Sequence, residues 1–214
     1  MINVSPVVKI TFFYEHKTYL IIIKNKFYNF KIGACKTMYN VGDLIIYGSY
    51  GVCKINSIDS PDIPGIDKNK LYYTLSPLYH SEKVFTPVDT NVFIRPVISY
   101  DEAEQLISDI PSIRENLTDI DNIKLLEGFY KESLKTHNCS DLLRLLKTIY
   151  TRARIVEEQG KKLGQIDKRF MDIAENRLYG EFAVALNMHK ENVKSYIEEK
   201  IKEQENMCSV GMYS

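Results

Sequence analysis

Cysteine is scarce in this sequence, and tryptophan is absent. The four cysteines (Cys35, Cys53, Cys139 and Cys208) lie far apart, and no two of them form a Cys-x-x-Cys pair. This spacing supports neither a disulfide framework nor a structural zinc site. We therefore expect no metal, and free thiols of this kind suit a reducing, cytoplasmic environment.

Long apolar runs are also missing. The longest, Tyr19–Ile23, ends at Lys24, whereas a membrane-spanning helix needs about 18 consecutive apolar residues. The sequence therefore predicts a cytoplasmic protein with no membrane partner.

Neither sign of charge predominates, because 28 basic residues balance 28 acidic ones. This balance excludes a uniformly basic coat for nucleic acid but leaves local patches open. Residues 1–37 carry six lysines and one glutamate, a charge of +5, so the rest of the chain carries −5.

The first 37 residues form an atypical extension that is rich in lysine and aromatic residues. Alternation at Val7–Phe13 and Thr18–Ile23 predicts two strands. The segment lacks the parts of a signal peptide. Its composition is what AT-rich codons would give, so we favour Met38 as the true start, interpret the extension as not native and assign it no function.

Residues 38–98 contain short β runs separated by turn residues. Gly48-Ser49-Tyr50-Gly51 separates two apolar runs, and Ser60–Gly65 contains two prolines and a glycine, which exclude a central strand there. The strands expected from this pattern are Val41–Tyr47, Val52–Ile58, Leu71–Leu75, Lys83–Val88 and Val92–Ile94. Several short strands without a helix indicate a small β barrel.

Residues 99–205 change to the helical period of 3.6, and residues 206–214 form a tail. Ser99 and Glu102 form a capping box that begins the first helix. The pattern predicts further helices at about Asn122–Thr136, from a cap at Ser140 or Asp141 to Gly160, at Asp167–Met188 and at Glu191–Gln204. The fold class is therefore α+β, a barrel followed by an all-helical domain.

Catalytic signals are weak throughout the chain. The four histidines fall in different elements without metal-ligand spacing, and no glycine-rich loop is followed by Gly-Lys-Ser/Thr. Cys53 sits in a strand as a small core residue. We expect no enzyme activity, no catalytic residue and no cofactor.

A local basic concentration is the stronger signal. Between Arg144 and Arg169 there are eight basic and three acidic residues, with Arg152 and Arg154 near one helix end and Lys168 and Arg169 opening the next helix. Such a patch could contact phosphates. An equally weighted alternative is that the arginines interact with the negative end of the helix dipole and that the other cations are only solvated. Lys124 and Lys131 on the preceding helix could extend the patch.

Several short segments of the sequence resemble the CarD/CdnL family of bacterial transcription factors. Val41-Gly42-Asp43-Leu44-Ile45-Ile46-Tyr47 followed by Gly51-Val52 resembles the opening of its Tudor-like domain, which also occurs as the polymerase-interacting module of transcription-repair coupling factors. Tyr130-Lys131, Asp167–Met171 and Gly180–Leu186 resemble the family's helical domain in order and spacing. The likeness extends over residues 38–188.

The resemblance implies a regulator that binds the RNA polymerase β subunit through its barrel. The helical domain would then contact promoter DNA, weakly and largely without sequence preference, at the upstream fork, and this contact would stabilise the open complex. A monomer is expected. Docking on polymerase raises the effective concentration near DNA, so weak DNA binding suffices.

The resemblance also assigns site residues, unevenly. Lys131 and Lys168 match DNA-contacting positions, and Arg169 and Arg154 lie beside or near others. Leu126 stands where many members carry a tryptophan wedge; a place in the helix core is the competing interpretation, favoured by its spacing. On the barrel, arginines of the family are replaced at Pro61 and Phe85. The polymerase-binding residues expected here are Ile63, which could keep an apolar contact, Lys83, which could supply charge, and Phe85 itself.

An adaptor of a different class is the alternative. In that reading the barrel binds another protein and the helices never contact DNA. The two readings differ in salt response, because only phosphate contacts lose affinity steeply as salt rises.

Overall fold

The chain divides into two compact units, residues 1–37 and residues 38–214. The computed structural model describes residues 8–14, 17–23, 39–64, 67–115 and 123–210. The predicted boundary between barrel and helices therefore lies inside the second unit.

The first unit contains an antiparallel pair of strands, β1 (Val8–Tyr14) and β2 (Lys17–Ile23). Val8 lies opposite Ile23 and Tyr14 opposite Lys17. The two strands predicted from alternation are confirmed within one residue at each end.

The second unit begins with a five-stranded antiparallel sheet of the Tudor-like type, in the order β6-β5-β4-β3-β7. The strands are β3 (Leu44–Tyr47), β4 (Gly51–Asp59), β5 (Tyr72–Pro77), β6 (Val84–Pro87) and β7 (Ile94–Pro96). Alternate side chains of these strands form a small core of Ile45, Tyr47, Cys53, Ile55, Tyr73 and Leu75. This core gives the β domain its own packed interior.

The first strand predicted in the β domain is shorter than expected, because its first residues form a turn. Asn40 to Asp43 forms a hydrogen-bonded turn, with Gly42 at φ 96°, so β3 begins at Leu44 rather than Val41. A 3₁₀ turn over Gly48–Tyr50 connects β3 to β4, and Gly51 lies at φ 73°. These positive φ values favour glycine at both places.

Five α-helices follow the sheet: α1 (Tyr100–Asp109), α2 (Ile123–Lys135), α3 (Cys139–Glu158), α4 (Gln165–Ala185) and α5 (Lys190–Val210). A short 3₁₀ turn, Ile110–Ser112, continues α1. Buried residues of all five helices form one apolar cluster that includes Tyr130, Ile149, Leu178, Phe182 and Val193. The predicted α+β fold class is confirmed.

Several helix ends differ from the predictions: α4 is Gln165–Ala185 rather than Asp167–Met188, and α5 continues to Val210, into the predicted tail. The predicted Ser99–Glu102 capping box is present and begins α1. The cap of α3 is wrong in the prediction: Asn138 caps it, and its side chain accepts from the Ser140 amide at 2.9 Å. The same helix ends at Glu158, before Gly160, whose φ is 70°. Asn138, Ser140 and Asp141 are all residue types that cap helices, and the direction in which the chain enters the helix decides which of them is the cap.

The sheet and the helices are joined by a buried ion pair between β7 and α4. Both Nη atoms of Arg95 donate to the Glu181 carboxylate, whose residue is 2% exposed. Nearby, the Tyr79 hydroxyl donates to the Gly180 carbonyl at 3.0 Å. A Cβ on Gly180 would lie 2.8 Å from the Tyr79 ring, so only glycine permits this approach. These contacts fix α4 against the β domain.

Candidate functional site

The predicted polymerase-binding residues Lys83 and Phe85 lie at one edge of the sheet. β6 pairs with β5 alone among the described strands, so it is an edge strand of the sheet. Val84 packs against the sheet core and Thr86 is buried, so the period of two turns Phe85 outward. Lys83, predicted to begin this strand, directly precedes it and is exposed. Phe85 is 38% exposed. Lys83 and Phe85 are therefore both exposed at this edge of the sheet.

The third predicted polymerase contact, Ile63, is in a different segment. It is half-buried in the loop after β4, where its amide donates to the Pro61 carbonyl at 2.9 Å. In the described part of the chain, the β5–β6 ladder includes Phe85 but not Ile63, and Lys83 directly precedes β6.

A buried hydrogen bond fixes the helices that carry the predicted DNA contacts. Tyr130 of α2 is fully buried, and its hydroxyl donates to Asp167 Oδ1 of α4 at 2.6 Å. Burial, followed by this hydrogen bond, raises the pKa of the Tyr130 hydroxyl. Arg152 Nε of α3 lies 3.4 Å from the same Asp167 oxygen. One carboxylate thus connects three helices.

The cations beside this buried contact converge on the surface. Arg169 Nη2 and Lys131 Nζ lie 2.7 Å and 3.0 Å from Glu127 Oε1. Hydrogen bonds from Arg169 and then Lys131 hold the pKa of the Glu127 carboxyl below its usual value. We call Lys131, Lys168 and Arg169 the basic cluster. Lys168 is exposed and, among the residues the structure describes, has no ion-pair partner.

The other predicted DNA contacts are placed differently from one another. Lys124 is exposed two turns before Lys131 on α2 and extends the same face. Arg152 is turned inward toward Asp167, and its side chain is 24% exposed. Arg154 is exposed but lines a groove with Ile110 and α5. The structure therefore brings Lys124 to the basic cluster and separates Arg154 from it.

A side chain that inserts between bases must be exposed, and Leu126, expected to have this wedge role, lies in the helical core instead. Leu126 is 7% exposed and belongs to the helical core. Its neighbour Leu125 is 65% exposed. Because α2 keeps the helical period, one of two adjacent leucines faces inward and the other outward. Leu125 is therefore the apolar side chain that α2 presents to solvent here.

No sequence pattern predicted a site role for Glu127, Tyr130 or Asp167. The spacing of Glu127 and Lys131 at i and i+4 is a visible signal for their ion pair. The bond between Tyr130 and Asp167 joins residues 37 positions apart and leaves no local signal.

Cys53 and Cys139 are buried. Burial raises the pKa of the Cys53 thiol to about 12, and burial followed by the Glu181 charge raises that of Cys139. Thiols in this state are protonated at neutral pH and poor nucleophiles. Among the described residues, no group of His, Cys, Asp and Glu side chains could hold a metal ion. Within the same ranges, no helix has both the length and the apolar character to cross a bilayer.

Residues 39–98 match the family of the CarD-like/TRCF RID domain. The match spans the whole five-stranded sheet and ends at the residue before the α1 cap. It includes just over a quarter of the chain, and the helices lie outside it. No curated protein matches the chain.

Proposed function

With residues 39–98 identified as a CarD-like/TRCF RID domain, we propose that this protein is a transcription regulator that binds the β subunit of RNA polymerase and stabilises the promoter open complex through DNA contacts at the upstream fork. The single observation that carries the proposal is that family match. The helical region adds a surface that suits DNA.

The edge of β6 supports the polymerase contact. An edge strand can accept a strand from a partner, and main-chain hydrogen bonds then supply much of the affinity. Phe85 offers an apolar anchor and Lys83 a charge at the same edge of the sheet. Exposed aromatic anchors of this kind carry much of the energy in protein interfaces.

The basic cluster supports the DNA contact. Its cations sit on two helices whose relative position is fixed by the buried Tyr130–Asp167 hydrogen bond, so they face a partner as a preformed surface. Three cations on two helices in fixed positions can straddle neighbouring phosphates. Docking on polymerase makes weak DNA affinity sufficient.

Leu125 is the apolar group that we assign to the fork, in place of Leu126. An inserted apolar side chain can unstack a base step and hold the duplex open. Leu125 lies on α2, the helix that carries Lys124 and Lys131, and is turned about 100° around the helix axis from Lys124. We expect it to contact bases beside the phosphates that the basic cluster holds.

The experiment for this proposal is the lifetime of open complexes after competitor challenge, with wild-type protein and Leu125→Ala. Wild-type protein is expected to lengthen the lifetime. Leu125→Ala is expected to remove most of that gain while changing the free energy of unfolding by less than about 0.5 kcal/mol, because the side chain is exposed. Leu126→Ala, by contrast, is expected to lower the free energy of unfolding by about 2–5 kcal/mol. A wild-type protein without effect on the lifetime contradicts the proposal.

Glu127 partly neutralises the basic cluster, so removal of its charge is expected to strengthen DNA binding. Glu127→Gln is expected to raise DNA affinity by about three- to tenfold at low salt, since Lys131 and Arg169 lose their carboxylate partner. Fluorescence anisotropy with a forked duplex measures this gain. Glu132→Gln is the matched control, because Glu132 pairs with Lys135 on the same helix outside the cluster. Equal affinities of the two variants would argue against a role for the cluster.

The ion pairs of Glu127 also favour the alternative function, a protein–protein adaptor that does not contact DNA. In that case Lys131 and Arg169 serve the helix surface alone. A salt titration separates the alternatives: an adaptor has no DNA affinity to lose, whereas a phosphate-binding cluster loses it linearly on a log–log plot.

A further inference from the structure

A cavity of about 380 Å³ lies between the β domain and the helices, away from the basic cluster. The start of β4 and the turn after β5 form one wall, and α4 with the first residue of α5 forms the other. Its polar and aromatic lining includes Ser49, Tyr50, Tyr79, Asn176, Arg177 and Lys190.

The lining itself contains positively charged side chains and no carboxylate. Among the described residues that line the cavity, Arg177 and Lys190 are cationic and none is acidic. Arg177 Nη1 donates to the Leu134 carbonyl at 3.3 Å, and Lys190 Nζ donates to Asn176 Oδ1 at 2.9 Å. Neither forms an ion pair with a described carboxylate. Glu191, the acidic neighbour of Lys190 in the chain, lies outside the lining.

Both cations are partly removed from water. Burial lowers the pKa of the Arg177 guanidinium, and burial lowers that of the Lys190 ammonium, against an opposing effect of Glu191. Lys190 also lies over the Tyr79 ring, 4.5 Å from its centroid. The ring stabilises the ammonium but does not neutralise it. Desolvated cations without a carboxylate partner are stabilised by a bound anion.

We propose that this cavity binds the phosphoryl group of a small anionic ligand. Arg177 has further N–H donors in a planar fork, which fits phosphate oxygens, and Lys190 adds a second point of charge. Ser49, on the wall formed by the β domain, and Asn176, on the wall formed by α4, supply neutral polar groups. Tyr50, which is 38% exposed, lines the mouth with an aromatic face. This site is independent of the proposed function, because it uses neither the β6 edge nor the basic cluster.

The test is calorimetric titration of the full chain with pyrophosphate at constant ionic strength, followed by backbone amide shifts in NMR spectra. We expect saturable binding of one pyrophosphate, with shifts at Tyr79, Asn176 and Lys190. Lys190→Gln is expected to weaken binding at least fivefold. Lys194→Gln makes the same charge change one turn later on α5, where the side chain lies by Glu175 and Tyr150, and is expected to leave binding unchanged.

Three outcomes would overturn the proposal. They are absence of binding at millimolar pyrophosphate, equal weakening by Lys190→Gln and Lys194→Gln, and amide shifts centred on Lys131 and Arg169. Arg177→Gln serves as a second variant, and its thermal midpoint without ligand shows whether lost binding reflects lost folding. Replacing pyrophosphate by inorganic phosphate or by a nucleoside diphosphate then distinguishes a bare phosphoryl site from one that also uses Tyr50.

Discussion

Replacement of Glu181 by alanine is expected to lower the free energy of unfolding by about 3–5 kcal/mol, because it leaves the Arg95 guanidinium without its carboxylate. The Arg95 and Glu181 side chains are 22% and 2% exposed. The same carboxylate accepts from the Ile98 amide and from the Cys139 thiol, each at 3.1 Å. One substitution therefore removes partners from β7, from the strand–helix connection and from α3. Urea denaturation followed by circular dichroism measures the change.

Companion variants identify the cause of that loss. Glu198→Ala removes an exposed glutamate from α5 and is expected to change stability by less than about 0.5 kcal/mol. The double variant Arg95→Met with Glu181→Leu removes both charges and is expected to recover much of the loss, as apolar replacements of buried ion pairs often do. A Glu181→Ala variant that loses less than about 1 kcal/mol would show that the ion pair does not hold the sheet to the helices.

Reversal of charge at Lys168 and Arg169 is expected to weaken DNA binding at least tenfold at low salt while leaving polymerase binding unchanged. Two phosphate contacts are lost, so the slope of log affinity against log salt is expected to fall by about two. Stabilisation of the open complex is expected to fall with it. Anisotropy titrations over a range of salt concentrations and a polymerase pull-down measure the two activities separately.

A matched pair of substitutions controls for net charge. Lys200→Glu with Lys202→Glu makes the same total change on α5, outside the basic cluster. We expect it to leave the salt slope nearly unchanged. Parallel loss of DNA and polymerase binding in the Lys168 and Arg169 variant would contradict the division of labour between the β domain and the helices.

Much of the fold could be predicted from local pattern. Alternation in the β domain and the 3.6-residue period in the helices indicated, with shifted ends, each strand of that domain and each α-helix in the described ranges, because each element buries one face. The Ser99 cap was predictable because both partners of a capping box lie within four residues. The Asn138 cap was not, since Asn138, Ser140 and Asp141 are all suitable residues in one short segment.

The candidate site was predictable only where its signals are local. For Leu126, helical spacing and resemblance indicated different places, and the structure agrees with the spacing, because packing of α2 in the core decides which leucine is exposed. The meeting of Lys131 with Arg169 depends on Glu127 and on the contact between Tyr130 and Asp167. The Arg95–Glu181 pair spans 86 positions. Residues so far apart in the sequence meet only in the folded chain, so no local sequence pattern predicts that they pair.

Binding of the full chain to RNA polymerase core enzyme tests the central claim most directly. Biolayer interferometry with immobilised polymerase is expected to give micromolar or tighter affinity, and Phe85→Ala, on the exposed face of β6, is expected to weaken it without changing the thermal midpoint. An isolated β-subunit lobe should reproduce the affinity. Failure of the folded wild-type protein to bind either polymerase or the lobe would contradict the account and favour the adaptor.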